Sequence, residues 1–239
     1  MSRPTVEKSI LHLVLAAYQA WGHVKPLCNL AARIVKSRPV TVTLVTARPF
    51  HERVDQELAR SFEENENHFR RRIRVVAIMT NEQNPFDVQG FNASFSELYK
   101  KLADEEAVVC AKTGETLEQL NSPDAAILGI FGHALLLAVH EHSKRPVKVF
   151  TWYPGSVAAA LFMFGPAGPN KGGDLSKEIE EETARSGKSI VEAAEEYFFG
   201  KHGIKGEIIR IPGLPPMYDY EFYPQDVCHM YQPGFGVDN

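Results

Sequence analysis

ILHLVLAAYQAWGHVKPLCNLAARIVKSRPVTVTLVTA, residues 10–47, changes its hydrophobic period twice. Ile10 to Ala17 is short, continuously apolar and followed by a glycine-bearing turn, the pattern of a strand covered on both faces. From Pro26 to Val35, Leu27, Leu30, Ala31 and Ile34 recur at helical spacing, and Lys36 and Arg38 follow near the negative end of the helix dipole. Val40 to Thr46 returns to β-branched residues at strand length. A strand, a helix and a second strand in succession make a βαβ unit, with parallel strands and a right-handed crossover.

The same alternation continues downstream. Phe50–Phe62 reads as helix, Ile73–Met79 as strand, Phe91–Leu120 as mostly helix and Ala125–Phe131 as strand. His133–Ser143 reads as helix, Val147–Trp152 as strand and Ser156–Phe164 as helix. Such a chain predicts an α/β fold: a doubly wound, mostly parallel, Rossmann-like sheet with helices on both faces and strand order 3-2-1-4-5. After residue 165 the character changes. GPAGPNKGG (165–173) reads as a loop, Asp174–Ala184 as an acidic helix, Ser189–Phe199 as a second helix and Glu207–Ile211 as a last short strand. The prolines of IPGLPP then interrupt regular structure. The expected organisation is one domain over 1–215 and an extended tail over 216–239.

Composition narrows the function classes. Apolar residues are 44% of the 239 and charged residues 23%, which excludes a disordered tail or a fibrous rod. Thirty acidic side chains against 26 basic ones leave a net charge of −4, so no global positive field is available to hold nucleic acid. Cys28, Cys110 and Cys228 are too scattered for a disulfide framework or a zinc motif and read as reduced thiols of a cytoplasmic protein. The apolar run Ile10–Ala17 falls far short of the roughly 20 residues that cross a bilayer, and no membrane contact is expected.

In an open parallel sheet, ligands sit beyond the carboxyl ends of the strands, where the strand order reverses. The segment Ala20–Pro26 borders that crevice. It contains one glycine, Gly22, where a dinucleotide fingerprint needs three, and no phosphate-binding loop motif. What it offers is His23 at the entrance to a helix. Helix N–H groups and the positive dipole end disfavour imidazolium there, leaving a neutral ring able to take a proton. A histidine that only caps the helix is the competing reading. His133 begins the helix after the fourth strand, across the crevice, but no third ligand completes a metal set, so no metal is expected. In NPFDVQGF (84–91), Phe86 and Phe91 are apolar walls or core residues, and Asp87 is the nearby carboxylate that would pair with His23. Ser156 in PGSVA lies outside any nucleophile elbow.

Three separated segments together resemble the family-1 UDP-dependent glycosyltransferases. AWGHVKPLCNLAARIV with VTVTLVTA is similar to the family's GHxxP start. SPDAAILGIFGHALLLAVHEHSKRPVKVFTWYPGSVAAALF is similar to its PDxhIxDxF region, and IPGLPPMYDYEF to the stretch closing its N-terminal, acceptor-binding domain. The resemblance implies one half of a GT-B fold. It implies transfer of a sugar to a hydroxyl of a small hydrophobic acceptor, with His23 as general base. Trp21, Gly22, Phe86, Phe91, His133, Trp152 and Ser156 would then line or border the acceptor site. Two departures qualify it. Gly129 stands where the family pattern has the aspartate that orients the base, and no HCGWNS-type stretch is present to hold a UDP-sugar. The expectation is therefore a chain without its own sugar-nucleotide cofactor site, needing a donor domain or a partner chain for transfer. The alternative is a stand-alone, non-catalytic module that binds a small molecule or docks a partner.

Overall fold

In the computed structural model, which describes residues 10–81, 87–155, 160, 165, 174–190, 192–194, 206–211, 214–218 and 221, β1 (Leu11–Ala16) occupies the middle of a five-stranded sheet. Its neighbours are β2 (Val40–Ala47) and β6 (Ala125–Gly129), flanked in turn by β3 (Ile73–Ile78) and β7 (Lys148–Trp152). Every pairing is parallel, with Leu15 opposite Leu44 on one side and Ile127 on the other. Counted along the sheet's own strands the order is 3-2-1-4-5, as the sequence predicts.

Alternating side chains of β1 enter two separate cores. Val14 and Ala16 join Val45, Val76 and Leu128 beneath α4 (Val88–Ala103) and α5 (His133–His142). Leu15 and Ala17 join Leu44 and Ile73 on the opposite face, beneath α1 (Trp21–Ser37) and α2 (His51–Ala59), with Phe69 of the short α3 (Asn67–Arg70) packed against the same core. Covering on both faces explains why β1 carries no alternating polar residues in its buried half. Tyr99 Oη and Ser143 Oγ, 3.0 Å apart, tie α4 to the C-terminal end of α5. Cys28 sits in the α1 core, where burial pushes its thiol pKa up to about 12, the condition of an inert packing residue.

The segment 104–120 departs from the helical expectation. Asp104 ends α4, Glu105 takes a left-handed φ of 59°, and the chain then forms a small hairpin of β4 (Val108–Val109) and β5 (Thr116–Leu117). Gly114, at φ 71°, makes its turn. Contacts divide the chain into two compact units, Met1–Pro154 and Gly155–Asn239. In the second, the acidic helix Leu175–Ser186 is capped by the Asp174 carboxylate at its start and closed by left-handed Gly187. There Ile208–Ile209 pairs antiparallel with Met217–Tyr218. No helix among the described residues is long and apolar enough to cross a membrane.

Beneath the amino ends of the strands, His12 is buried in β1 with both ring nitrogens engaged. Nδ1 lies 2.8 Å from the Asn121 carbonyl, which can only accept, so Nδ1 carries the proton and Nε2 accepts from the Thr43 hydroxyl at 2.8 Å. Burial holds the His12 pKa below its ordinary 6.5. The unfolded chain therefore takes up this proton first as pH falls, and the stability tied to neutral His12 is lost from about pH 6.5 downward. The urea midpoint is expected to fall between pH 7.5 and 5, and less steeply in His12→Asn. Equal slopes in the two proteins would refute this linkage.

Candidate functional site

Helical backbone starts at Trp21, one turn earlier than the proline suggests, because Ala20 is the extended N-cap. Its carbonyl accepts from the N–H groups of His23 and Val24 at 2.9 and 3.1 Å. Pro26 lies inside α1, where its missing N–H removes the bond that the Gly22 carbonyl would otherwise receive. His23 thus belongs to the first helical turn at the carboxyl edge of the sheet.

Two rings hold the His23 side chain. Tyr18, just after β1, meets it edge-on at 5.7 Å between centroids, and Phe131, just after β6, lies at 5.6 Å. Tyr18 and Phe131 also touch edge to face at 5.9 Å, closing a triangle of rings. Nδ1 of His23 is fully buried and has no hydrogen-bond partner among the described residues. Burial lowers the His23 pKa below 6.5, so the ring is neutral at neutral pH.

Beside this triangle lies a cavity of about 160 Å3. Tyr18 and Gln19 reach it from the end of β1, Phe50 from beyond β2, Thr80 from beyond β3, Phe131 from beyond β6, and Phe91 from the first turn of α4. It occupies the point where strand order reverses between β1 and β6. Gln19 is buried in its wall with a fixed amide. Oε1 accepts from the Ala47 N–H at 2.7 Å and the Thr46 hydroxyl at 3.1 Å, and Nε2 donates to the Ala17 carbonyl at 2.6 Å. The amide pins the end of β1 to the end of β2.

Of the residues singled out in the sequence, Phe91 lies in the cavity wall and His23 packs against two wall residues. Trp21 instead stacks on Phe50 at 6.3 Å with the Arg53 guanidinium 3.9 Å over its ring, joining α1 to α2. Gly22 is exposed in the first turn of α1, and His133 is exposed at the start of α5, outside the wall. Trp152 is half-buried against the α1 core. Phe86 and Ser156 lie outside the described residues. The Asp87 carboxylate caps α4, accepting from the N–H groups of Asn81 and Gly90 at 2.7 and 2.9 Å, and those bonds hold its pKa below the usual range. It does not bond His23.

Tyr18, Gln19 and Phe131 were missed as site residues by sequence reasoning. Their signal is positional: each directly follows a central strand at the carboxyl edge. The turn that carries Phe131 depends on Gly132, whose N–H donates to the Gly129 carbonyl at 2.7 Å. A Cβ at residue 132 would stand 2.8 Å from that same backbone oxygen. Gly132→Ala is expected to cost about 1–3 kcal/mol in denaturant unfolding through this overpacking. A loss below about 0.5 kcal/mol would show that the turn relaxes freely.

Over 226 residues the chain is 26% identical to the UDP-glycosyltransferase eriJ of Hericium erinaceus, a match taking in 90% of this chain and 40% of the relative. The chain therefore spans about two-fifths of the length of this curated relative. Among solved structures it is similar to Phytolacca americana UGT2 complexed with UDP-2fluoro-glucose and pterostilbene, with TM-score 0.47, 14% identity, and 90% of this chain and 41% of that one covered. It is also similar to TcCGT1 in complex with UDP, with TM-score 0.46, 16% identity and coverage of 93% and 41%. No family model matches the chain.

Proposed function

We propose that this chain, related to a UDP-glycosyltransferase along nine-tenths of its length, is the half of such an enzyme that binds the hydroxyl compound receiving the sugar. The observation that carries this reading is an apolar cavity at the strand-order reversal whose wall residues Tyr18 and Phe131 also cradle a neutral histidine. An apolar acceptor would enter among the aromatic side chains with its hydroxyl toward His23. The imidazole takes the hydroxyl proton while the oxygen attacks the anomeric carbon from the face opposite the departing UDP. One C–O bond forms, the sugar–phosphate bond breaks, and the configuration inverts. The sugar nucleotide is held by a further domain or a partner chain, since the first crevice loop offers no phosphate cradle.

One observation favours the second reading, a binding module without turnover. Gly129, in the position of the family aspartate, packs closely: a Cβ there would lie 3.1 Å from Ala17 Cα and 3.3 Å from the Tyr18 nitrogen. With no carboxylate at that position and Nδ1 of His23 without a hydrogen-bond partner among the described residues, no described side chain supplies a charge to stabilise an imidazolium forming there. Calorimetry of the chain with the single-ring phenol 4-hydroxyacetophenone and, separately, with UDP tests the acceptor-half assignment. The phenol is expected to bind in the micromolar range and UDP not to bind. Tight UDP binding to this chain would overturn the division of labour.

A further inference from the structure

The amide of Gln19 has one bonding capacity that the fold does not use. Its orientation is unambiguous, because Oε1 faces a backbone N–H that can only donate and Nε2 faces a carbonyl that can only accept. Nε2 carries two hydrogens. One goes to the Ala17 carbonyl, and no second bond from Nε2 is formed among the described residues. The residue is 8% exposed, yet forms part of the cavity wall. A buried donor hydrogen without an acceptor carries its desolvation cost until something in the cavity accepts it.

The other polar wall groups are placed differently. Asp87 has its carboxylate bound to two backbone N–H groups, and Tyr18, Thr80 and Asn92 are only partly buried, so water reaches them. Gln19 is the deep donor. Around it stand Tyr18, Phe50, Phe91 and Phe131, and aromatic faces and edges of this kind match a ring better than a branched alkyl chain. At about 160 Å3 the cavity is close to the size, about 150 Å3, at which an engineered apolar cavity in another protein takes up benzene.

We propose that this cavity seats a single aromatic ring bearing an oxygen acceptor, carbonyl or hydroxyl, and that the second amide hydrogen of Gln19 donates to that oxygen. The inference rests on the crevice being the acceptor site and narrows the acceptor class to ring compounds carrying such an oxygen within reach of Gln19. Gln19 selects the ligand and its pose; it takes no part in proton transfer.

The test uses acetophenone and α-methylstyrene, which differ in that a CH2 replaces the carbonyl oxygen. Nitrogen-15 NMR titration of the whole, isotopically labelled chain follows the Gln19 side-chain amide, assigned by through-bond correlation to its own backbone and checked by its absence in Gln19→Met. In the wild type, acetophenone is expected to bind about tenfold tighter than the alkene, the worth of one net hydrogen bond. One of the two Gln19 amide protons is expected to move with acetophenone and stay fixed with the alkene. Gln19→Met, which keeps the side-chain length, is expected to erase the preference. Should that variant fail to fold, the wild-type amide shift and the wild-type preference still decide. Acetophenone binding with both amide protons unmoved, or equal affinity for the two compounds, would overturn the role of Gln19 while leaving the cavity as a ring-binding site. If neither compound binds at millimolar concentration, the cavity reading itself fails, and the role of Gln19 with it.

Discussion

His23→Ala is expected to lower sugar transfer about 10²–10⁴-fold, the range contributed by a positioned general base. On the proposed division of labour, the measurement uses a donor site supplied by fusing the remainder of the Hericium relative behind this chain. Because the loss falls on proton removal, kcat carries it and acceptor affinity changes little. The pH profile gives a second readout. The base works only when neutral, and burial among Tyr18 and Phe131 lowers the His23 pKa below 6.5. Transfer by the parent should therefore fall on the acid side of a pKa below 6.5 and be flat above it, and this limb should vanish in the variant. Transfer that survives His23→Ala undiminished would remove the base assignment. Binding of acceptor with no transfer in the parent fusion would favour the module reading.

Phe95→Ala is expected to cost about 3–5 kcal/mol of stability, from the lost burial of the ring and the void it leaves. Phe95 is fully buried on α4, one turn beyond the cavity residue Phe91, and its ring packs offset on Tyr99 at 5.9 Å. The void would open where α4 covers β1, β3 and β6, and typical domains hold only about 5–15 kcal/mol in total. Urea unfolding should show a lower midpoint with an unchanged slope. A loss under about 1 kcal/mol would mean that the α4 core closes over the gap.

The alternation of strand and helix was legible because each element carries the signature of its burial in the hydrophobic period along its own length. Ile10–Ala17 and Val40–Thr46 announce buried parallel strands through unbroken apolar and β-branched runs. Two local misreadings have local causes. Pro26 looked like a helix start because proline favours first turns, yet the extended N-cap at Ala20 starts the helix before it. The apolar residues of 108–117 resembled a continuing helix, and only the left-handed backbone at Glu105 and Gly114 turns them into a hairpin.

The candidate site divides along the same line. His23 could be picked out because a histidine in the loop after a first parallel strand borders the crevice of any such sheet. Asp87 was a reasonable partner by proximity in sequence, but its carboxylate has two backbone donors nearer to hand at the start of α4.

Hydrophobic period, a property written residue by residue, was sufficient to establish the parallel sheet, its strand order and the edge at which a ligand would sit. The company kept at that edge is another matter. Tyr18 and Phe131 meet on His23, and Gln19 bridges Ala17 to Thr46 and Ala47, because strands distant along the chain end side by side. Contacts between such ends depend on distances in space that no local pattern encodes, so they emerged only when the chain was folded.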